Sequence, residues 1–147
     1  HLAKERAFKL RVIGNFQFHL EGVEYEYLDW NKEQEAAQLQ GMDIGVYPLP
    51  TDAWVMGKSG LKALTYMAFA LPVVATNVGA AINRVITDNE NGFLVKTEEE
   101  WVAKLKYLID HPEERKRIGT NARQTVLDKF SIEANKPVYL QILKSLV

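Results

Sequence analysis

Residues 43–50 read Asp-Ile-Gly-Val-Tyr-Pro-Leu-Pro, residues 54–60 read Trp-Val-Met-Gly-Lys-Ser-Gly, and residues 72–79 read Pro-Val-Val-Ala-Thr-Asn-Val-Gly. The first of these segments is short and apolar, and it is closed by two prolines. This pattern, over residues 44–49, predicts a buried strand that ends at Pro48 or Pro50 and is followed by a loop.

The segment between the loop and the third motif predicts a helix. Residues 61–70 are rich in Ala, Leu and Met and are too numerous for a strand, so we expect a nearly buried helix that Pro72 stops. Residues 73–76 are largely β-branched and predict a second strand. Strand, loop, helix and strand in this order form the unit that builds a parallel sheet.

Predicted strands and helices alternate along the rest of the chain. Short apolar or alternating segments predict strands at residues 10–13, 23–28 and 93–95, and helices are predicted at residues 2–9, 31–40, 81–86 and 97–110. Asn31 is expected to cap the second of these helices. Thr97 and Glu100 have the spacing of a capping box.

The last third of the chain is predicted to be helical. Pro112 begins a helix that Gly119 is expected to end, Thr120 then caps another helix, and Ser131 caps the last one. Pro137 should kink or divide that last helix. The chain is therefore predicted to be an α/β domain, a doubly wound, Rossmann-like parallel sheet with a helical C-terminal third.

Composition excludes several classes of function. The 147 residues fit one domain, and the 47% hydrophobic content is sufficient for a core. A net charge of -1 provides no basic field for nucleic acid. The chain has no cysteine, and its three histidines lack ligand spacing, so we expect no metal and no cofactor.

The residues before the predicted central helix suggest an anion site. Ligands of parallel sheets bind where strands end and helices begin, and the first amides of a helix attract anions. Lys58 lies at this positive end, where a cation is unfavourable by about 0.3 to 1 kcal/mol unless an anion is bound. Lys62 and Thr65 follow at i+4 and i+7 and should share its helix face. A solvated lysine pair is the equally weighted alternative.

The Gly57-Lys58-Ser59 sequence also resembles the end of a nucleotide-triphosphatase P-loop. That motif requires a glycine where this chain has Asp52, and prolines replace its direct strand-to-loop turn. We therefore reject a triphosphatase function.

Two tryptophans follow predicted strands. Trp30 and Trp54 are placed to stack on a nucleobase, or they cover the edge of the sheet, and the sequence does not favour either role. Gly79 is expected to serve a tight turn that lets the backbone approach a ligand.

Five motifs in order resemble the C-terminal domain of group 1 glycosyltransferases, which have the GT-B fold and are of the retaining type. They are the segment at residues 43–50, Gly57-Lys58, the helix end and strand at residues 66–76, Val78-Gly79, and Asn-Gly-Phe-Leu-Val at residues 91–95. The likeness covers nearly the whole chain.

The resemblance implies a donor site. In that family the diphosphate of a nucleotide-sugar lies near the helix start that Gly57, Lys58, Ser59 and Gly60 form here, and Trp30 would lie near the nucleobase. The family has a pair of glutamates, for the donor sugar and the ribose, and this chain has Gly57 and Thr65 at those positions. Thr65 is then expected to donate a hydrogen bond to the ribose.

The resemblance also implies a function. Residues 1–147 would be the nucleotide-sugar-binding domain of an enzyme that transfers a sugar to a lipid, polysaccharide or similar acceptor, with Lys58 as its catalytic residue. The acceptor domain would precede His1, so we expect this fragment to be inactive alone. The alternative is a non-catalytic α/β binding or scaffold module.

We expect further that the protein is cytoplasmic. Its longest apolar run is interrupted by Pro72 and is too short to span a bilayer. Peripheral association of the full-length protein with the inner face of a membrane remains open. The expected partners are the nucleotide-sugar and the N-terminal domain of the same protein, and not nucleic acid.

Overall fold

The strands form two parallel sheets. The computed structural model describes residues 1–50, 58–79 and 81–146. Strand β1 (Leu10–Gly14) pairs with β2 (Tyr25–Asp29), and β3 (Gly45–Tyr47), β4 (Val73–Thr76) and β5 (Gly92–Val95) pair in that order. All the strands are parallel, so their carboxyl ends point the same way within each sheet. The predicted α/β, Rossmann-like architecture is confirmed.

Helices connect and cover the strands. They are α1 (Leu2–Glu5), α2 (Glu35–Gln40), α3 (Leu61–Ala68), α4 (Ile82–Val85), α5 (Glu98–Asp110), α6 (Pro112–Thr125) and α7 (Ile132–Lys144), and a π-helical turn, Val126–Phe130, joins the last two. The C-terminal third is helical, as predicted. Helix α7 continues through Pro137 without being divided.

The hydrophobic core lies on both faces of β4. Val73 and Ala75 face one cluster, which includes Ala63 and Met67 of α3. Val74 faces the other, together with Phe93 of β5 and Leu108 of α5. Because successive residues of a strand point to opposite faces, a strand that is apolar throughout is covered on both sides. The β-branched sequence of β4 therefore places it at the centre of the domain.

Two predicted helix caps are confirmed. The Thr97 hydroxyl accepts a hydrogen bond from the Glu100 amide, and the Glu100 side chain accepts one from the Thr97 amide, so the capping box of α5 is complete. At the start of α7, the Ser131 hydroxyl accepts from the Ala134 amide.

The predicted helix break at Gly119 is wrong. Helix α6 runs through this residue, and Thr120 donates its hydroxyl to the Lys116 carbonyl instead of capping a new helix. A Cβ at position 119 would lie 2.0 Å from the carbonyl oxygen of Ala70. The glycine therefore serves the close approach of α6 to the turn after α3, and not a helix end.

Other boundaries also shift. Asn31 does not cap α2, because its side chain accepts from the Glu33 amide in a turn before the helix. Helix α1 ends at Glu5 rather than Lys9, and Arg6 is already extended. Strand β3 ends at Tyr47, before the first proline. In the described ranges, no helix has the length and apolar character needed to cross a bilayer.

Candidate functional site

A cavity of about 600 Å³ lies where β3 ends and α3 begins. Helix α2, strand β1 and Trp30, which follows β2, contribute to its other walls. Its lining includes six of the predicted site residues: Trp30, Lys58, Ser59, Gly60, Lys62 and Thr65. Trp54 and Gly57 lie outside the described residues. The fold thus brings residues 30 and 58–65 together, although they are far apart in the sequence.

The start of α3 is electropositive. Gly60, its N-cap, is buried and has a φ of 74°, a left-handed conformation that favours glycine. Among the described residues, no side chain caps α3 by a hydrogen bond, and the first turn of α3 contains no acidic residue. The amides of the first turn have no partner within the helix. This end of the cavity can therefore donate hydrogen bonds to an anion and stabilise its negative charge.

Two lysines lie beside these amides. Lys58 is half-buried, Lys62 is exposed, and both line the cavity. Lys58 precedes the N-cap, so the shared helix face that the sequence predicted for Lys58, Lys62 and Thr65 does not exist. The three residues nevertheless meet in the cavity. Cations at this helix end are unfavourable by about 0.3 to 1 kcal/mol each, which a bound anion would reverse.

The Thr65 hydroxyl is already used as a donor. It bonds to the Leu61 carbonyl one turn earlier, at 3.0 Å. A hydroxyl has one proton and two acceptor lone pairs, so Thr65 can only accept from a ligand. The predicted donation from Thr65 to a ribose is therefore corrected in direction, because the hydroxyl proton is already engaged. A contact in which a ribose hydroxyl donates to Thr65 remains a prediction.

Trp30 follows β2 and is held at both ends. Its backbone amide donates to the Gly14 carbonyl at 3.2 Å, and its indole nitrogen donates to Glu35 Oε1 at 3.2 Å. The residue is 44% exposed, so much of its ring remains open to the cavity and to solvent. This geometry leaves the ring available for stacking.

The sequence did not single out several lining residues. Glu35 is the first residue of α2, and Tyr47 is the last residue of β3. Arg11 also contributes, but its guanidinium donates to Glu26 at 2.7 Å and to the Gln38 carbonyl at 2.8 Å. The sequence could have pointed to Glu35 and Tyr47 only because each lies at the end of a predicted element. Many residues lie at such ends, so this position alone does not identify a site residue.

Two tyrosines, Tyr66 of α3 and Tyr47 of β3, also line the cavity. The Tyr66 ring lies against Gly45, where an added Cβ would come within 2.7 Å of the ring. Burial raises the pKa of Tyr66, and the nearby Tyr47 and Glu35 raise it further. Burial also raises the pKa of Tyr47. Both phenols therefore remain protonated at neutral pH and can donate hydrogen bonds.

A metal site was not expected from the sequence. Among the residues that the structure describes, no group of three or more His, Asp or Glu side chains is arranged to hold a metal ion. The cations that face the cavity are the two lysines and the largely engaged Arg11.

Comparison with known families gives a match over most of the chain. The family described as Glycosyl transferases group 1 matches residues 1–111. A trehalose synthase from Pyrococcus horikoshii is 40% identical over 87 residues, which cover 59% of this chain and 21% of that protein. The capsular polysaccharide biosynthesis glycosyltransferase CapM of Staphylococcus aureus is 30% identical over 133 residues, covering 84% of this chain and 34% of CapM. The chain thus spans about a fifth to a third of these relatives.

Solved structures share the fold. The C-terminal domain of the group 1 glycosyl transferase LpcC from Francisella tularensis has a TM-score of 0.59 and 28% identity, with 74% of this chain and 55% of that chain covered. TarM from S. aureus, solved as a variant in complex with UDP, has a TM-score of 0.73 and 20% identity, with 95% of this chain and 30% of that chain covered. At 20% identity the likeness to TarM is one of fold.

Proposed function

Because the chain belongs to the group 1 glycosyl transferase family, we propose that it binds the nucleotide-sugar donor of a glycosyltransferase that moves a sugar to a lipid or polysaccharide acceptor. One observation carries the proposal. A single cavity gathers an uncapped helix start, two lysines and an accessible tryptophan ring. These groups match the two ends of a nucleotide, since the phosphates are anionic and the base is flat.

The proposed catalytic contribution is electrostatic. When the bond between sugar and diphosphate breaks, negative charge grows on the leaving diphosphate. Lys58 and the amides of Ser59 and Gly60 would offset that charge, with Lys62 beside them. Preorganised charges and dipoles directed at developing charge usually make the largest contribution to such catalysis. We propose that these groups act without a metal cofactor.

The nucleoside would occupy the other end of the cavity. Trp30 would stack on the base, and Thr65 would accept a hydrogen bond from a ribose hydroxyl. UDP in the structure of TarM supports a nucleotide ligand by analogy of fold. The choice of a polysaccharide as one candidate acceptor is supported by the role that the name of CapM states.

The acceptor would bind to another part of the full-length protein. We propose that this chain alone binds nucleoside diphosphate weakly and transfers no sugar, because only the donor side of the cleft is provided by residues 1–147. A lipid acceptor would bring the full-length protein to the inner face of a membrane.

Titration calorimetry on the full-length protein with UDP, GDP and ADP tests the proposal. We expect one of these nucleotides to bind, and Lys58→Ala to weaken its binding at least about tenfold, as for loss of a charge-assisted contact. Sugar transfer should fall about 100-fold or more. Lys116→Ala removes the same charge from an exposed position on α6 and should change neither quantity.

Three results would contradict the proposal in whole or in part. Absence of heat with all three nucleotides would exclude the donor site. Equal transfer rates for wild type and Lys58→Ala would remove the catalytic role of the lysine, and absence of any transfer by the wild type, with nucleotide still bound, would favour the non-catalytic binding module.

A further inference from the structure

The cavity carries opposite charges on different walls. Lys58 and Lys62 lie at the start of α3, and Arg11 on β1 is engaged by Glu26 and the Gln38 carbonyl. Glu35 at the start of α2 supplies the only carboxylate among the described residues that line the cavity. A carboxylate repels a phosphate group. Its presence in a cavity that would bind an anion therefore needs a role that does not involve the phosphates.

A favourable helix position explains only part of this arrangement. An acidic residue in the first turn of α2 is stabilised by the amides there. That effect does not require the side chain to face the cavity. The half-buried Glu35 side chain nevertheless does so, because its Oε1 accepts from the Trp30 indole at 3.2 Å and the residue lines the same space as Tyr66.

The contact with Trp30 leaves most of the carboxylate's hydrogen-bonding capacity available. An ionised carboxylate accepts hydrogen bonds only, with about four lone-pair sites. It therefore selects a ligand that presents two adjacent donors. The nucleoside part of a nucleotide offers this chemistry in two places, the cis-diol of the ribose and the neighbouring N1–H and N2–H₂ groups of guanine. A ribose diol that gives both of its protons to Glu35 has none left for Thr65, so in that case Glu35 replaces Thr65 as the acceptor for the ribose. Uracil and adenine place an acceptor beside each donor on the corresponding edge.

We propose that Glu35 is a specificity-determining binding residue that accepts two adjacent hydrogen bonds from the nucleoside, while Trp30 fixes the orientation of its carboxylate. The inference rests on the proposed nucleotide-binding function. It assigns the polar recognition of the nucleoside to α2 and leaves the phosphates to the start of α3.

The test compares Glu35→Gln with wild type in the full-length protein, by calorimetry with GDP, UDP and ADP. Glutamine has the same shape, and its oxygen can still accept from the Trp30 indole, so the local structure is retained. Its NH₂ group replaces an acceptor with a donor. We expect binding of the preferred nucleotide to weaken at least about tenfold, as for loss of a hydrogen bond to a charged group. Glu33→Gln removes an equal charge at a nearby exposed position and should have no effect.

The sign of the change separates recognition from simple charge. If Glu35 only adds negative charge near the phosphates, Glu35→Gln will bind nucleotides more tightly, and that result, or an unchanged affinity, overturns the inference. The proposed function survives either result provided that wild type binds and Lys58→Ala binds more weakly. If wild type binds no nucleotide, the proposed function itself has failed.

A 2′,3′-dideoxy nucleotide distinguishes the two sources of donors. If the ribose diol is the group recognised, the dideoxy form of the preferred nucleotide will bind wild type and Glu35→Gln equally. If the guanine edge is recognised, GDP will be the preferred nucleotide, and the difference between wild type and variant will persist with the dideoxy form. Both results support the role of Glu35, and preference for GDP is expected only in the second case.

Discussion

The two sheets use the same parallel pairing but are buried to different degrees. In the sheet of β3, β4 and β5, all four residues of β4 are buried and Phe93 of β5 is fully enclosed. In the sheet of β1 and β2, no residue is fully buried. Helices α3, α5 and α6 cover the sheet of β3, β4 and β5. The sheet of β1 and β2 is flanked by the loop after β1, which carries the exposed side chain of Phe16.

The stabilising interactions differ accordingly. The sheet of β3, β4 and β5 is stabilised by apolar packing on both faces. In the sheet of β1 and β2, Arg11 and Glu26 form a cross-strand ion pair at 2.7 Å, and Phe16, Phe18 and Tyr27 pack edge to face. The sheet of β3, β4 and β5 therefore forms the hydrophobic core of the domain. The sheet of β1 and β2 contributes mainly positioned side chains, such as Trp30, to the cavity.

The largest predicted effect contrasts one phenylalanine in each region. Phe93 is 0% exposed and Phe16 is 56% exposed. Phe93→Ala should lower the free energy of unfolding by about 4 kcal/mol, since it leaves a cavity in the core. Phe16→Ala should lower it by about 1 kcal/mol or less, the contribution of its aromatic contacts. Urea denaturation measures both, and equal losses would contradict the division into a core sheet and a peripheral sheet.

A smaller effect is predicted at the contact between α6 and the turn after α3. Gly119→Ala should destabilise the protein by about 2 to 3 kcal/mol, because the new Cβ would collide with the Ala70 carbonyl oxygen. The same substitution at an uncrowded helix position stabilises by roughly 0.5 to 1 kcal/mol. The sign of the change in the free energy of unfolding, measured by urea denaturation, therefore tests the close approach of Gly119 to the Ala70 carbonyl. A gain in stability would show that the two are not in contact.

The smallest predicted effect is the pH dependence of the ion pair in the sheet of β1 and β2. The hydrogen bond from Arg11 lowers the pKa of Glu26 below the ordinary 4.5. The carboxylate therefore adds stability above that pH and loses it as the pH falls through the lowered pKa. Glu26→Gln should unfold at lower urea concentration than wild type at pH 7, and the difference should shrink as the pH falls below 4.5 through the lowered pKa of Glu26.

A matched control distinguishes the pair from general charge. Glu24→Gln removes the same charge from an exposed residue just before β2 and should leave the midpoint of urea denaturation close to that of wild type. If Glu24→Gln and Glu26→Gln shift the midpoint equally, the specific pair contributes nothing.

Local sequence signals predicted most of the fold. The β-branched residues 73–76 gave the central strand, and Thr97 with Glu100 gave the start of α5, because these effects depend on neighbours in the sequence. Gly119 was misinterpreted for the opposite reason. Its role depends on Ala70, far away in the sequence, and glycine at a crowded helix contact looks like glycine at a helix end.

The same limit applies to the candidate site. Lys58, Ser59, Gly60, Lys62 and Thr65 were found because they lie on one short segment before and within α3. Glu35 was not found, because only the fold brings α2 beside α3. The bond from the Thr65 hydroxyl to the Leu61 carbonyl also follows from helix geometry, and it engages the proton that the sequence analysis assigned to a ribose.

The buried face of α3 has a consequence for any ligand at its start. Ala63 and Met67 are completely enclosed against β4, and the Arg123 guanidinium donates to the Ala68 carbonyl at the other end of the helix. The first-turn amides are therefore fixed in direction before a ligand arrives. An anion that binds there does not have to order the helix, so less of its interaction energy is lost to entropy than at a mobile loop.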